Sequence, residues 1–201
     1  MTARHAVVLA SASVSRARLL QGAGVDFATD PAAIDESGIK SEMQGSGASV
    51  DAVASALAKA KALAITRRHP GARVIGVDQM LECGSIWFNK PGDMAEARRH
   101  LQTLRGRDHR LITAACVAVD DEIAWRGVTH AHLTMRAFSD QFLDAYLAAA
   151  GHSVLGSVGA YRIEETGIQL FSHIDGDHFT ILGLPLLDLL EFLRVEQVVT
   201  A

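Results

Sequence analysis

The stretch from Leu9 to Ala17, LASASVSRA, ends an apolar run in small hydroxylated residues just before an arginine. The residues from His5 to Ala10 read as a buried strand, and those from Ser13 read as a helix with Ser13 as N-cap, Leu19 and Leu20 as its apolar stripe, and Gly22 and Gly24 as its stop. The first amides of a helix have no partner within it, so together with Ser11, Ser13, Ser15 and Arg16 they could seat an anion, a phosphate above all, although a strand followed by a capped helix is also an ordinary feature of α/β proteins. Asp78 follows VIGV in a strand that must be buried, where a lone carboxylate is costly; it needs a cationic partner, a metal or the open end of the strand, and a turn cap is the competing reading. Lys90 comes where the chain leaves a strand through Asn89 and Pro91, and taken alone it reads as a solvated surface cation. Lys59 and Lys61 are two residues apart on one helix and cannot share a face, so only one of them turns toward a site. Glu164 and Glu165, near Gly167, are a carboxylate pair with a solvated turn as the plain alternative.

Other constellations fall short. His130 and His132 share one face of a strand but lack a third metal ligand, and the run Asp175, Gly176, Asp177 lacks the remaining ligands of a calcium loop and reads as a turn. Neither a GxxxxGK nor a GxGxxG fingerprint is present, and Cys83 and Cys116, isolated from each other, fit a reducing compartment without a zinc framework.

These residues must be carried by alternating strands and helices. Phe27 to Ile34 reads as a short strand, and Asp35 to Ser49 as a polar, glycine-containing loop. Val50 to Arg68 is an alanine-rich helix stopped by Pro70 and Gly71. Arg73 to Leu81 forms a strand, Glu82 to Ser85 a turn, Ile86 to Phe88 a return strand, and Asp93 caps a helix reaching Leu104. Leu111 to Val119 and Ile123 to Met135 are two long strands joined by Asp120, Asp121 and Glu122; Ser139 caps a helix to Ala150, and Pro185 opens a last helix to Leu193. This order predicts an α/β protein with a mixed sheet. With 201 residues, 49% of them hydrophobic, the chain suffices for one domain over 1–201. A net charge of -4, with 19 basic against 23 acidic residues and no basic run, argues against a nucleic-acid polymer as partner. The N-terminus lacks an apolar stretch of signal-peptide length, and no run approaches the ~20 residues needed to span a membrane, so the expected location is cytoplasmic.

Taken together, LASASVSRARLL, the pair Asp35 and Glu36, LAKAKA, VIGVDQ, NKP, LRGRDHRLIT, VGAYRIEETG and GDHFTILGLPL resemble, in order and over nearly the whole chain, the Maf family of nucleoside triphosphate pyrophosphatases. The resemblance implies an elongated, two-lobed single domain, a twisted mixed sheet flanked by helices with a central cleft. It also implies a divalent cation, Mg2+ or Mn2+, and hydrolysis of a nucleoside triphosphate to the monophosphate and pyrophosphate, with removal of non-standard nucleotides as the role. Carried over by residue, Asp78 is the proton acceptor and a metal contact with Glu36, and Lys61 rather than Lys59 is the helix lysine of the site. Ser11, Ser13, Arg16, Lys61 and Lys90 hold the polyphosphate, while Ser15, Gln79 and Glu164 fall at positions tied to base selection. The branch acting on dTTP and UTP has arginine, threonine and glutamine at those three positions. Gln79 and Glu164 instead resemble the branch that prefers 7-methyl-GTP. A carboxylate suits guanine because it accepts from both the N1 and N2 donors, and inosine lacks the second. Ser15 stands where that branch has an aromatic residue, and Asn89 and Ala56 depart from a usual glycine and arginine. The resemblance is compatible with a homodimer. A regulatory nucleotide-binding protein linked to inhibition of septum formation is the alternative, against which stand Asp78 and the two site lysines.

Overall fold

Three apolar residues form β1 (Val7–Leu9), buried throughout as a central parallel strand must be. The computed structural model describes residues 6–200, and His5, the expected start of this strand, lies outside the described residues. Ser13 caps α1 (Val14–Gly22) as the sequence predicts. The next strand, β2, is only Ala28–Thr29, shorter than expected: the Asp30 amide still reaches the Leu9 carbonyl at 3.0 Å, but Pro31 has no amide with which to continue the ladder.

The polar segment expected as a loop is a helix, α2 (Glu36–Gly45), and this corrects the sequence reading. Asp35 is its N-cap, accepting the Gly38 amide at 2.9 Å. A methyl group at Gly38 would collide with the Asp35 carboxylate, so the glycine that suggested a loop is what lets the cap fold over the helix start. Then α3 (Val50–Thr66), capped by Ser49, buries Val50, Val53, Ala54, Leu57, Ala58, Lys61, Ala62 and Ile65 as one stripe at helical spacing.

The remaining elements are β3 (Arg73–Cys83), β4 (Ile86–Phe88), α4 (Met94–Leu104), β5 (Asp108–Val119), β6 (Glu122–Met135), α5 (Asp140–Ala150), β7 (Phe171–Gly176), α6 (His178–Ile181) and α7 (Leu186–Val195). Asp93 and Ser139 cap α4 and α5 as expected. Asp120 and Asp121 both have positive φ, 46° and 68°, so β5 and β6 are joined by two residues and Glu122 already belongs to the strand. Between Ala150 and Pro185, where no strand or helix is expected, lie 3-10 turns (Gly151–Gly156, Val158–Ala160, Thr166–Leu170), β7 and α6. Asp175 and Gly176 end β7 and Asp177 caps α6, so the expected turn there is a strand end running into a helix start.

The seven strands form one mixed sheet in the order β2-β1-β3-β5-β6-β7, with β4 paired to β3. β1 is parallel to β2 and β3, whereas β4 and β7 are antiparallel to their partners. The chain divides into two compact units: one holds the described residues to Gln79, Ile112–Thr129 and those from Asp177, and the other holds Met80–Leu111 and His130–Gly176. In the first, Val7, Leu9, Ile75, Val77, Ala115 and Val117 pack with Leu20 of α1 and Leu186, Leu189 and Leu193 of α7. In the second, His109 and Tyr161 are both buried and hydrogen-bonded at 3.0 Å, and Tyr146 Oη donates to the Ala160 carbonyl at 3.3 Å. No helix among the described residues is long and apolar enough to cross a membrane.

Candidate active site

Alternation along β3 sorts its side chains between two faces. Ile75 and Val77 join the core under α1 and α7, while Gly76 and Asp78 face α3. Gly76 makes this possible: a methyl group there would collide with the Ala58 carbonyl oxygen and lie 2.6 Å from the Ala62 amide nitrogen, so the helix backbone rests directly on the strand. The next turn of α3 then brings Lys61 to Asp78.

Lys61 Nζ lies 2.6 Å from Asp78 Oδ1 and 2.9 Å from Glu36 Oε1. Lys61 and Asp78 are 8% and 5% exposed, so the partner that a buried carboxylate requires is this ammonium. Glu36 sits in the first turn of α2, where a negative charge suits the helix dipole, and its side chain is about half exposed. Asp78 Oδ2 is buried with no hydrogen-bond partner. The exposed Lys59 faces away, as two-residue spacing on a helix dictates.

The start of α1 adds hydroxyls and a guanidinium. Ser11 Oγ accepts the Ser13 amide at 3.2 Å and Arg16 Nη1 at 3.1 Å. Arg16 also donates from Nε to the Gly183 carbonyl at 2.8 Å and from Nη1 to the Val77 carbonyl at 3.1 Å, tying α1 to β3 one residue before Asp78. Burial pulls the Arg16 guanidinium below its ordinary pKa, and the charges of Asp78 and Glu36 pull it back up. Ser15 is half-buried on the same helix. Gln79 points to the opposite face from Asp78, donating from Nε2 to Thr113 Oγ1 at 2.9 Å.

Lys90 and Glu164 belong to the second unit. Lys90 is exposed just beyond β4. Glu164 lies in a turn, where Arg162 Nη2 reaches Glu164 Oε1 at 3.2 Å and Glu165 Oε1 at 3.3 Å. The carboxylate pair therefore shares one cation and keeps a net negative charge. The sequence reading passed over Gly76, Thr113, Arg162 and Thr180; only Gly76 carried a visible signal, a glycine inside an apolar strand. Cys83 and Cys116 are free and buried, and burial pushes the Cys116 thiol up to about 11, so neither is a ready nucleophile.

Among the described residues no three His, Cys, Asp or Glu side chains cluster as a closed metal cage. Two carboxylates on one ammonium, with one carboxylate oxygen unpartnered, fit instead a hard divalent cation of the Mg2+ kind, which uses one or two carboxylates and completes its shell with water and phosphate oxygens.

The first unit thus carries both the capped, serine-rich start of α1 and a buried lysine that meets two carboxylates. The family model described as Maf-like protein matches residues 6–196, and the chain belongs to that family. It is 50% identical over 187 residues to a nucleoside triphosphate pyrophosphatase of Paramagnetospirillum magneticum, covering 93% of this chain and 96% of that protein. A 7-methyl-GTP pyrophosphatase of Brucella abortus is 48% identical over 191 residues, 95% of this chain and 96% of the relative. One of Rhizobium meliloti with the same description is 49% identical over 188 residues, 94% of each.

Proposed function

We propose that this protein is a hydrolase of phosphorus-containing anhydrides that cleaves a nucleoside triphosphate to the monophosphate and pyrophosphate, acting on 7-methyl-GTP or a related guanine nucleotide. The observation that carries the reading is Asp78, with Oδ1 held by Lys61 and Oδ2 unpartnered, in a chain of the Maf-like family. Water attacks the α-phosphorus, its proton passes to the Asp78 carboxylate, the bond from that phosphorus to the bridging oxygen breaks, and pyrophosphate leaves. Lys61 fixes the carboxylate while the proton moves. The α1 amides, Ser11, Ser13 and Arg16 take the polyphosphate charge, and Lys90 is assigned to the same task by the family resemblance. A bound Mg2+ or Mn2+, held by Asp78 and Glu36, would supply Lewis-acid charge to the phosphate oxygens. Gln79 and Glu164 select the base, with Ser15 in place of a stacking aromatic. The net negative charge of the Arg162, Glu164 and Glu165 group suits a cationic, methylated guanine.

In the cell this activity clears modified nucleotides from the cytoplasm, with no nucleic-acid polymer and no membrane as partner, in keeping with the net charge of -4. A homodimer completes the reading, and light scattering tests it. The deciding experiment measures pyrophosphate release from GTP, 7-methyl-GTP, UTP, dTTP, CTP, ATP and ITP with Mg2+ or Mn2+, with and without EDTA, beside Asp78→Asn. Guanine nucleotides turn over, EDTA stops the reaction, and the variant, still folded by circular dichroism, loses about 100-fold or more. Turnover of UTP and dTTP alone would overturn the base assignment, and no turnover of any nucleotide would overturn the enzyme.

A further inference from the structure

Three acceptors, two backbone carbonyls and one hydroxyl, decide which way a neighbouring amide faces. Thr113, fully buried on β5, has Oγ1 2.9 Å from the carbonyl oxygen of Thr180, and its proton is spent there. What the same oxygen offers Gln79 is a lone pair, and Gln79 Nε2 meets it at 2.9 Å. Nε2 also lies 3.0 Å from the Thr180 carbonyl and 3.2 Å from that of Ile181. All three neighbours are acceptors. With the amide reversed, Oε1 would face two carbonyls and a hydroxyl oxygen with no proton to give.

Thr180 is itself fixed. Its amide donates to Asp177 Oδ2 at 2.8 Å and its Oγ1 lies 2.9 Å from Thr129 Oγ1. The Oε1 end of Gln79 is turned away from these acceptors, toward Gly183. A methyl group built on Gly183 would lie 3.7 Å from Gln79 Oε1 and 3.4 Å from Arg16 Nε, so the absent side chain leaves room beside both.

We infer that Thr113 is a positioning residue for substrate selection: together with the Thr180 and Ile181 carbonyls it holds the Gln79 amide so that this position presents an acceptor alone and recognises a hydrogen-bond donor of the nucleoside. The inference rests on the hydrolase reading above and deepens it. An acceptor favours a base edge that offers it a donor, and guanine offers two adjacent donors where uracil offers one between acceptors. A base N–H and a ribose hydroxyl share this donor chemistry, and the assay separates them.

The test uses Thr113→Val, which keeps shape but removes the hydroxyl, and Thr113→Ser, which restores it. Side-chain amide exchange of Gln79, followed by 15N NMR, is slow in the wild type and in Thr113→Ser, and fast in Thr113→Val. Preference in kcat/KM for GTP over UTP and ITP falls about 3- to 10-fold in Thr113→Val, through KM, and returns in Thr113→Ser. If the fall appears instead in the preference for GTP over dGTP, the donor is the ribose 2′-hydroxyl and the inference stands. Fast exchange in the wild type, unchanged preferences in Thr113→Val, or no rescue by serine overturns it. Should the wild type release no pyrophosphate at all, the hydrolase reading fails separately. A GTP-induced shift of the Gln79 amide that Thr113→Val weakens then keeps the inference, and its absence overturns it.

Discussion

Lys61 is the residue on which the electrostatics of the first unit turn, since two carboxylates meet at its ammonium. Replacing it by methionine leaves Asp78 buried without a cation, and chemical denaturation at pH 7 is expected to show a loss of about 3–5 kcal/mol. Adding Asp78→Asn to that variant removes the stranded charge and recovers part of the loss; strict additivity of the two substitutions would deny the coupling. In the second unit, burial pushes the His109 imidazole down to about 4. The unfolded chain therefore binds a proton that the folded chain refuses between pH ~6.5 and the folded value. This contribution to stability is complete above pH ~6.5 and falls away toward pH 4, by about 3 kcal/mol in all. Thermal melts of His109→Gln across that range should show a flatter profile than the wild type; parallel profiles would place the titration elsewhere. Asp78 was legible in the sequence because a carboxylate in an apolar run asks for a partner. Its partners were legible only through the family resemblance, because geometry alone leaves Lys59 and Lys61 equivalent until α3 is set on β3.

At the scale of elements, the contact of α3 with β3 positions the chemistry. Gly76→Ala pushes a methyl group into helix backbone, where no side chain can give way, so α3 must shift and carry Lys61 with it. A cost of about 1–3 kcal/mol in denaturant is expected, together with a fall in turnover larger than the stability loss explains. Wild-type turnover in that variant would show that the close approach serves packing alone. Helices announced by a cap and a stripe, such as α4 and α5, could be read directly. The α2 segment could not, since its serines and glycines are loop residues by propensity and its helix rests on the Asp35 cap and on packing against α3. The 151–183 region was illegible for a related reason: 3-10 turns carry no hydrophobic period.

For the whole molecule, the sheet and the family were legible because many weak motifs fall in one order along the chain. The base-selecting role proposed for Glu164 is open to substitution, since Arg162 engages its carboxylate within its own turn. Glu164→Gln is expected to lower the preference for guanine over uracil nucleotides about tenfold or more, measured as a ratio of kcat/KM values. An unchanged ratio would remove Glu164 from base selection and leave Gln79 as the reader.

The face of β1 and β3 that opens the chain's first unit is covered by α7, which is made after every other described helix. During synthesis, Val7, Leu9, Ile75 and Val77 thus wait without their final cover until the ribosome has delivered Leu186, Leu189 and Leu193. A chain stalled before that point holds every residue proposed for catalysis yet cannot bury the core beneath them. Truncation products should accordingly enter the cell as clients of chaperones and proteases rather than as partly active enzymes.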